Sequence, residues 1–266
     1  MSYFTNKVVW ITGASSGIGE ALAITFAKHN AKLILSARRE DELNRVKAAT
    51  GLADSNVFIL PLDVANLHAI EEVAQKAKAH FGQIDVLINN AGISHWSKIK
   101  DTSLEVIKKI LDVNFFGGAA LTKAVLPDML NRKSGSIVVV SSILGKMITP
   151  KQGAYNASKH ALMGFYETLR AETHGDGINV LLVCPGFVRT NVAKNSLDRN
   201  GNPINKDNNL IANGLDPLYV STKILKAIET GKNEIVIAGA KEKFGLALKR
   251  FFPSLFAKLI SSNQLV

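Results

Sequence analysis

Thr12-Gly13-Ala14-Ser15-Ser16-Gly17-Ile18-Gly19 is the stretch that decides the fold. It follows the apolar run Lys7 to Ile11 and leads into an amphipathic stretch, Glu20 to His29. The run, rich in β-branched residues, reads as a strand, and the spacing after it reads as a helix. Glycines at such a junction permit a tight turn. They also let backbone N–H groups approach a pyrophosphate at the positive end of the helix. A glycine-rich turn can be merely structural; its place between a first strand and a first helix makes it a candidate dinucleotide cradle. The contacts it names are Gly13, Ser15, Ser16, Gly17, Ile18 and Gly19.

Working outward, the same rhythm recurs. Lys32 to Leu35, Val57 to Leu60, Ile84 to Ile88, Ser136 to Val140, Asn179 to Val183 and Glu234 to Ile237 complete seven predicted strands. Their near-continuous apolarity suits strands covered on both faces. Amphipathic stretches such as Leu67 to Phe81 and Ser103 to Met129 lie between them. Strand-helix-strand repetition implies right-handed crossovers and a doubly wound parallel α/β sheet.

With 266 residues, 47% of them hydrophobic, the chain can bury a sizeable core as one domain. The expected division is a catalytic domain over 1–240 and an amphipathic extension of that domain over 241–266. Cys184, the one cysteine, excludes an intrachain disulfide and fits a reducing compartment. It stands in the run Val180 to Val183 and reads as a small buried hydrophobe. No signal peptide and no membrane-spanning stretch are evident, so a cytoplasmic location is expected. The net charge of +10 could serve nucleic acid, anionic membranes or an anionic cofactor. The lysines are dispersed, and no RRM, helix-turn-helix or zinc pattern accompanies them. No nucleic-acid partner and no metal are expected.

After the second strand comes Leu35-Ser36-Ala37-Arg38-Arg39. NAD sites usually place a carboxylate here for the ribose 2′-OH, whereas arginine accommodates a 2′-phosphate. Ala37 removes the acid, and Arg38 and Arg39 offer guanidinium forks. The reading favours NADP(H), against two solvated arginines that merely begin a helix.

Tyr155 and Lys159 are four apart, with Ser142 thirteen positions upstream. On a helix, i and i+4 share a face, so phenol and ammonium become neighbours. A cation beside a phenol favours phenolate. Lowering its pKa by about three units takes roughly 4 kcal/mol, and the phenol then becomes a usable general acid/base.

The turn Thr12 to Gly19, Asn89-Asn90-Ala91-Gly92, Asn114, Ser142, Tyr155, Lys159 and Pro185-Gly186 together closely resemble the short-chain dehydrogenase/reductase pattern, over about residues 5–240. The resemblance implies a Rossmann-like sheet with strand order 3-2-1-4-5-6-7. It implies that Tyr155 exchanges a proton with a substrate carbonyl or alcohol and that Ser142 hydrogen-bonds the substrate oxygen. Lys159 would also grip the nicotinamide ribose, while Asn114 holds a water leading to solvent. Asp63 and Val64 are implied as adenine contacts, and Asn90, Ala91 and Gly92 as the wall beside the adenosine ribose. Pro185, Gly186, Val188 and Thr190 would lie against the nicotinamide end, and Tyr155 would touch the cofactor as well. Some NADP-using relatives carry a basic residue where this chain has Ser16, which leaves the 2′-phosphate to Arg38 and its neighbour. The reaction implied is NADP(H)-dependent oxidoreduction at CH–OH; a sensor that binds the nucleotide without turnover is the alternative.

Phe187-Val188-Arg189-Thr190-Asn191 and Lys249-Arg250-Phe251-Phe252-Pro253 also resemble a subgroup around dehydrogenase/reductase member 7, which implies a hydrophobic substrate. Asn191 to Asp216, rich in Asn, Asp, Lys and Gly, reads as a lid, or else as a disordered loop. In the tail, Phe244, Leu248, Phe251, Phe252, Leu255 and Leu259 read as one helical stripe divided by Pro253. That stripe could pack on its own domain or a sister subunit, lie in a membrane interface, or act as a flap. The family's habit implies a homodimer or homotetramer.

Overall fold

In the computed structural model, residues 2–192, 194–205 and 212–262 are described. Seven parallel strands form the sheet: β1 (Val8–Thr12), β2 (Lys32–Ser36), β3 (Val57–Ile59), β4 (Val86–Asn89), β5 (Gly135–Val140), β6 (Ile178–Pro185) and β7 (Glu234–Ile237). Their order is β3-β2-β1-β4-β5-β6-β7. Every strand read from the sequence is present, with ends shifted by two residues at most.

Alternation along each strand supplies two cores. Val9 and Ile11 point to one face, where they meet Leu22 and Phe26 of α1 (Gly17–Ala27) and Leu43 and Val46 of α2 (Glu40–Thr50). Val220 and Ile224 of α7 (Pro217–Glu229) complete that layer. Val8 and Trp10 point to the other face, against Ile70 and Val73 of α3 (Ile70–Phe81), Leu121 and Val125 of α5 (Gly117–Arg132), and Leu162 and Tyr166 of α6 (Gly153–Glu172). Burial on both faces is why the strands look uniformly apolar. Each fully buried aliphatic or aromatic side chain contributes about 1.5–3 kcal/mol relative to exposure.

The stretch Ser103 to Met129 is not one helix. α4 (Leu104–Leu111) passes through a π-helical segment, Asp112–Phe116, before α5 begins at Gly117. Gly117 is pressed so closely on Val64 that a Cβ there would lie 2.7 Å from the Val64 Cβ. Such π segments are frequent at functional sites, and this one contains Asn114.

Past β7 the tail forms α8 (Ala240–Phe251) and α9 (Pro253–Ser261), with Pro253 opening the second helix. The single apolar stripe expected there is corrected. Leu248, Phe256 and Ile260 pack inward with Met147 and Leu259, whereas Phe244, Phe251, Phe252 and Leu255 face outward. Gly245, one residue on from Phe244, is the position that lies against Met147. This contact turns the phenylalanine face away from the protein. Among the described residues no helix is long and apolar enough to cross a membrane.

Candidate active site

The strand order reverses between β1 and β4, and ligands of doubly wound sheets bind outside the carboxyl ends of the strands at such a point. There the glycine turn is held by Asn90. Its Nδ2 donates to Thr12 O at 2.9 Å and to Gly13 O at 3.3 Å, and Thr12 Oγ1 accepts from the N–H groups of Asn90 and Ala91. A Cβ at Gly19 would overlap the Gly13 carbonyl. Gly17 has φ +58°, in the left-handed region, and a Cβ there would lie 2.9 Å from the Thr190 methyl. Ser16 precedes α1 without a side-chain cap bond, so the first-turn amides of this helix keep their free donors. That is the condition for taking a phosphate.

The other implied cofactor contacts lie along the same edge. Leu62 N–H donates to Ala37 O at 3.0 Å, which joins the ends of β2 and β3. Asp63 then makes a tight turn, with Oδ1 accepting from Ala65 N–H at 3.0 Å. Val64 is buried. Arg38 is exposed and pairs with no carboxylate among the described residues, whereas Arg39 stands 3.8 Å from Glu42. Arg45, which sequence reasoning passed over, donates to Glu20, Glu42 and the Ser15 carbonyl and ties α2 to the glycine turn.

α6 carries Tyr155 and Lys159 on adjacent turns. The Lys159 Nζ donates to Val140 O at 2.9 Å and lies 5.6 Å from the centroid of the Tyr155 ring. Ser142 opens a short 3-10 turn; its Oγ accepts from Leu144 N–H at 3.1 Å and donates to Pro185 O at 3.5 Å, and the hydroxyl lies near enough to Tyr155 to act on its titration. Ser141 plays a different part, donating to Lys159 O at 3.1 Å beneath α6. Asn114 grips the Ile93 backbone both ways, accepting from its N–H at 2.8 Å and donating to its carbonyl at 2.9 Å. Its second N–H goes to Ser158 Oγ at 3.0 Å. Gly92 joins the two halves of the site: a Cβ there would lie 3.6 Å from Lys159 Nζ, while the neighbouring Ala91 Cα touches Gly13.

The electrostatics correct the expectation of a phenol acidified by its lysine. Burial pushes Tyr155 up to about 12, with the nearby Ser142 hydroxyl acting in the opposite direction. The ring keeps some exposed surface, but the atoms packed round its hydroxyl favour the neutral form. Burial also lowers Lys159 to about 8. Its ammonium bonds to a carbonyl and faces the ring, so its field on the hydroxyl is smaller than the desolvation both groups suffer. Cys184 is fully buried and pushed up to about 12, which fits the inert thiol read from its surroundings.

The stretch read as a lid is partly paired. Leu197 N–H donates to Ser94 O, Trp96 N–H donates to Leu197 O, and Leu197 is buried beside Val106 and Ala154. Leu215 pairs with Phe187 and Arg189 on either side of buried Val188. Within the same stretch, residues 193 and 206–211 lie outside the described residues. Two polar groups near the reacting set went unread in the sequence. Gln152, just before α6, donates to Ser94 Oγ at 3.0 Å, and buried His95 holds an Nδ1 with no hydrogen-bond partner among the described residues.

Comparison with known proteins agrees with this geometry. A family model described as short chain dehydrogenase matches residues 7–201. A "Dehydrogenase/reductase SDR family protein 7-like" from Drosophila melanogaster is 41% identical over 254 residues, covering 94% of this chain and 78% of its own. The crystal structure of a short chain dehydrogenase/reductase from Burkholderia phymatum in complex with NAD superposes with a TM-score of 0.85 at 27% identity, covering 96% of each chain. An alcohol dehydrogenase from the archaeon Thermococcus sibiricus, complexed with 5-hydroxy-NADP, gives 0.74 at 26% identity, covering 87% of this chain and 95% of its own.

Proposed function

The chain belongs to the short-chain dehydrogenase/reductase family of oxidoreductases, near the dehydrogenase/reductase member 7 group, and from that premise we propose that it interconverts a carbonyl and an alcohol on a hydrophobic small molecule with NADP(H). One observation carries the reading. Ser142, Tyr155 and Lys159 converge at the carboxyl edge of the sheet, and Gly92 and Ala91 connect them to the uncapped start of α1.

The residues present fit a dinucleotide. The uncapped amides of α1 and the Gly13–Gly19 turn suit a pyrophosphate, and Arg38, which pairs with no carboxylate among the described residues, suits a 2′-phosphate. Asp63 and Val64 would face adenine, Asn90 to Gly92 the adenosine ribose, and Pro185 to Thr190 the nicotinamide end. When bound, the cofactor supplies the hydride chemistry. Tyr155 keeps its proton at neutral pH and can deliver it to a substrate oxygen that gains negative charge. Ser142 offers a second donor to that oxygen, which stabilises the transition state. Lys159 is positioned to pass a replacement proton, with Asn114 holding Ile93 and Gly92 in place around it. Catalysed loss of NADPH absorbance with a panel of hydrophobic carbonyl compounds tests the reading. Tight NADPH binding without turnover on any of them would favour the non-catalytic sensor.

Two partner readings accompany it. Leu104, Phe116 and Phe165 are exposed at 77, 45 and 36% on neighbouring helices, a face that suits a homodimer or homotetramer. The tail suits the surface of an anionic membrane on a cytoplasmic protein. Phe244, Phe251 and Phe252 are each more than half exposed among Lys241, Lys243, Lys249, Arg250 and Lys258. A second copy would set these cations against their own kind, whereas acidic headgroups complement them.

A further inference from the structure

Glu242 is a carboxylate that the reaction does not use. It stands in the first turn of α8, where Oε2 accepts from the N–H of Gly239, the residue capping the helix. This is one half of a capping box. Oε1 has another partner: it accepts from the N–H of Phe187, 55 positions away in sequence, at 2.8 Å. Gly186 makes room for it, since a Cβ there would overlap Oε1 and lie 2.8 Å from the carboxyl carbon.

Phe187 begins the segment bearing Val188 and Thr190. Its carbonyl accepts from Leu215 N–H at 2.9 Å, and Arg189 N–H donates to Leu215 O at 2.9 Å. Thr190 ends against Gly17. Contacts therefore run unbroken from the tail helix through this loop to the glycine turn.

We infer that Glu242 is a positioning residue for the nicotinamide-side loop, its carboxylate fixing Phe187 and, through it, Val188 and Thr190 over the glycine turn. The inference rests on the cofactor assignment made above. A carboxylate that accepts from backbone N–H groups makes charge-assisted bonds, stronger than neutral ones. A loop already pinned costs less order when a ligand closes on it.

Calorimetric titration of the full chain with NADPH, and separately with adenosine 2′,5′-bisphosphate, tests this. The bisphosphate carries the adenosine end alone. Glu242→Gln keeps the side chain's size but turns an NH₂ toward one of the two N–H donors. Its expected effect is about ten-fold weaker NADPH binding, the scale of one lost charge-assisted bond, with bisphosphate affinity unchanged. Equal weakening of both ligands would mean a general structural role and overturn the inference, as would unchanged NADPH binding. Failure of the unmodified chain to bind either ligand would overturn the cofactor assignment and the inference together. Should the variant not fold, amide exchange on the unmodified chain decides instead. The Phe187 N–H is expected to be protected without ligand, and exchange at the rate of a free loop amide would overturn the inference.

Discussion

The Lys159 ammonium lies over the face of the Tyr155 ring, 5.6 Å from its centroid, and gives its hydrogen bond to the Val140 carbonyl. Burial acts on the two residues in opposite directions, raising the phenol and lowering the amine, so each is drawn toward its neutral form. A phenol that holds its proton is ready to donate it, which suits carbonyl reduction.

Tyr155→Phe removes the donated proton and little volume. Turnover of NADPH with a carbonyl substrate should fall by about 10²–10⁴-fold, the usual worth of a positioned general acid. NADPH affinity should change far less. Retention of full turnover in the variant would show that another group supplies the proton.

Lys159 makes a pH prediction whose sign can be worked out. Its folded pKa of about 8 lies below the ordinary 10.5, so the cost of a buried ammonium is fully present below pH 8 and is relieved as pH rises toward 10.5. Relative to Lys159→Met, the unmodified chain should therefore gain about 1.4 kcal/mol of stability per pH unit across that window. Near pH 7 and without cofactor, the methionine variant should be the more stable of the two by about 1–2 kcal/mol, because stranding the Val140 carbonyl offsets part of the gain. Denaturant melts of both proteins between about pH 7 and pH 10 check this, and parallel profiles would contradict it.

The sheet was legible because every strand is buried on both faces, so its residues are apolar without interruption. The glycine turn was legible because its spacing is local. What escaped reading depends on distant partners. The interruption at Asp112–Phe116 goes with the close approach of Gly117 to Val64, two residues far apart in sequence. The tail's phenylalanines have helical spacing whether they point in or out, and only contact with Met147 decides which. The sign of the Tyr155 shift turns on how many atoms crowd its hydroxyl against how near one cation lies, and spacing reports neither. Glu242 went unread, because its partner Phe187 is 55 positions away in sequence.

The Arg38 guanidinium is exposed and meets no carboxylate among the described residues, which in the proposed reading makes it the residue that selects NADPH over NADH. Arg38→Ala should raise the KM for NADPH about ten- to a hundred-fold, the range of a lost hydrogen bond to a charged group, and leave the KM for NADH nearly unchanged. Equal KM values for NADPH before and after substitution would remove Arg38 from the site.

The seating of the 187–190 segment on the glycine turn is open to a double-mutant cycle. Gly17→Ala carries a backbone cost, because φ is +58°, and drives a methyl toward the Thr190 Cγ2. Thr190→Ser deletes that methyl. Stability lost in Gly17→Ala, about 1–3 kcal/mol for strain and contact together, should be partly recovered in the double variant. Strict additivity would mean that the two positions do not touch in solution.

The tail prediction separates lipid from protein as its partner. Phe244 and Phe251, seven residues apart, are exposed at 60 and 68%, and Phe252 and Leu255 extend the apolar surface across the bend at Pro253. Of the charged side chains on these two helices, five are basic and one is Glu242, which already accepts two backbone N–H groups. Each lysine or arginine near an anionic surface contributes about 1 kcal/mol. Reversing Lys243 and Arg250 to Glu should therefore weaken binding to phosphatidylserine-containing vesicles by about two orders of magnitude or more, and Phe251→Ser with Phe252→Ser should weaken it at any salt concentration. Neutral phosphatidylcholine vesicles should bind the unmodified chain far less, and salt should release it from anionic ones. If the protein pellets equally with both kinds of vesicle, or with neither, the charge argument fails. A tail-dependent change in sedimentation coefficient without lipid would instead assign this face to a second copy.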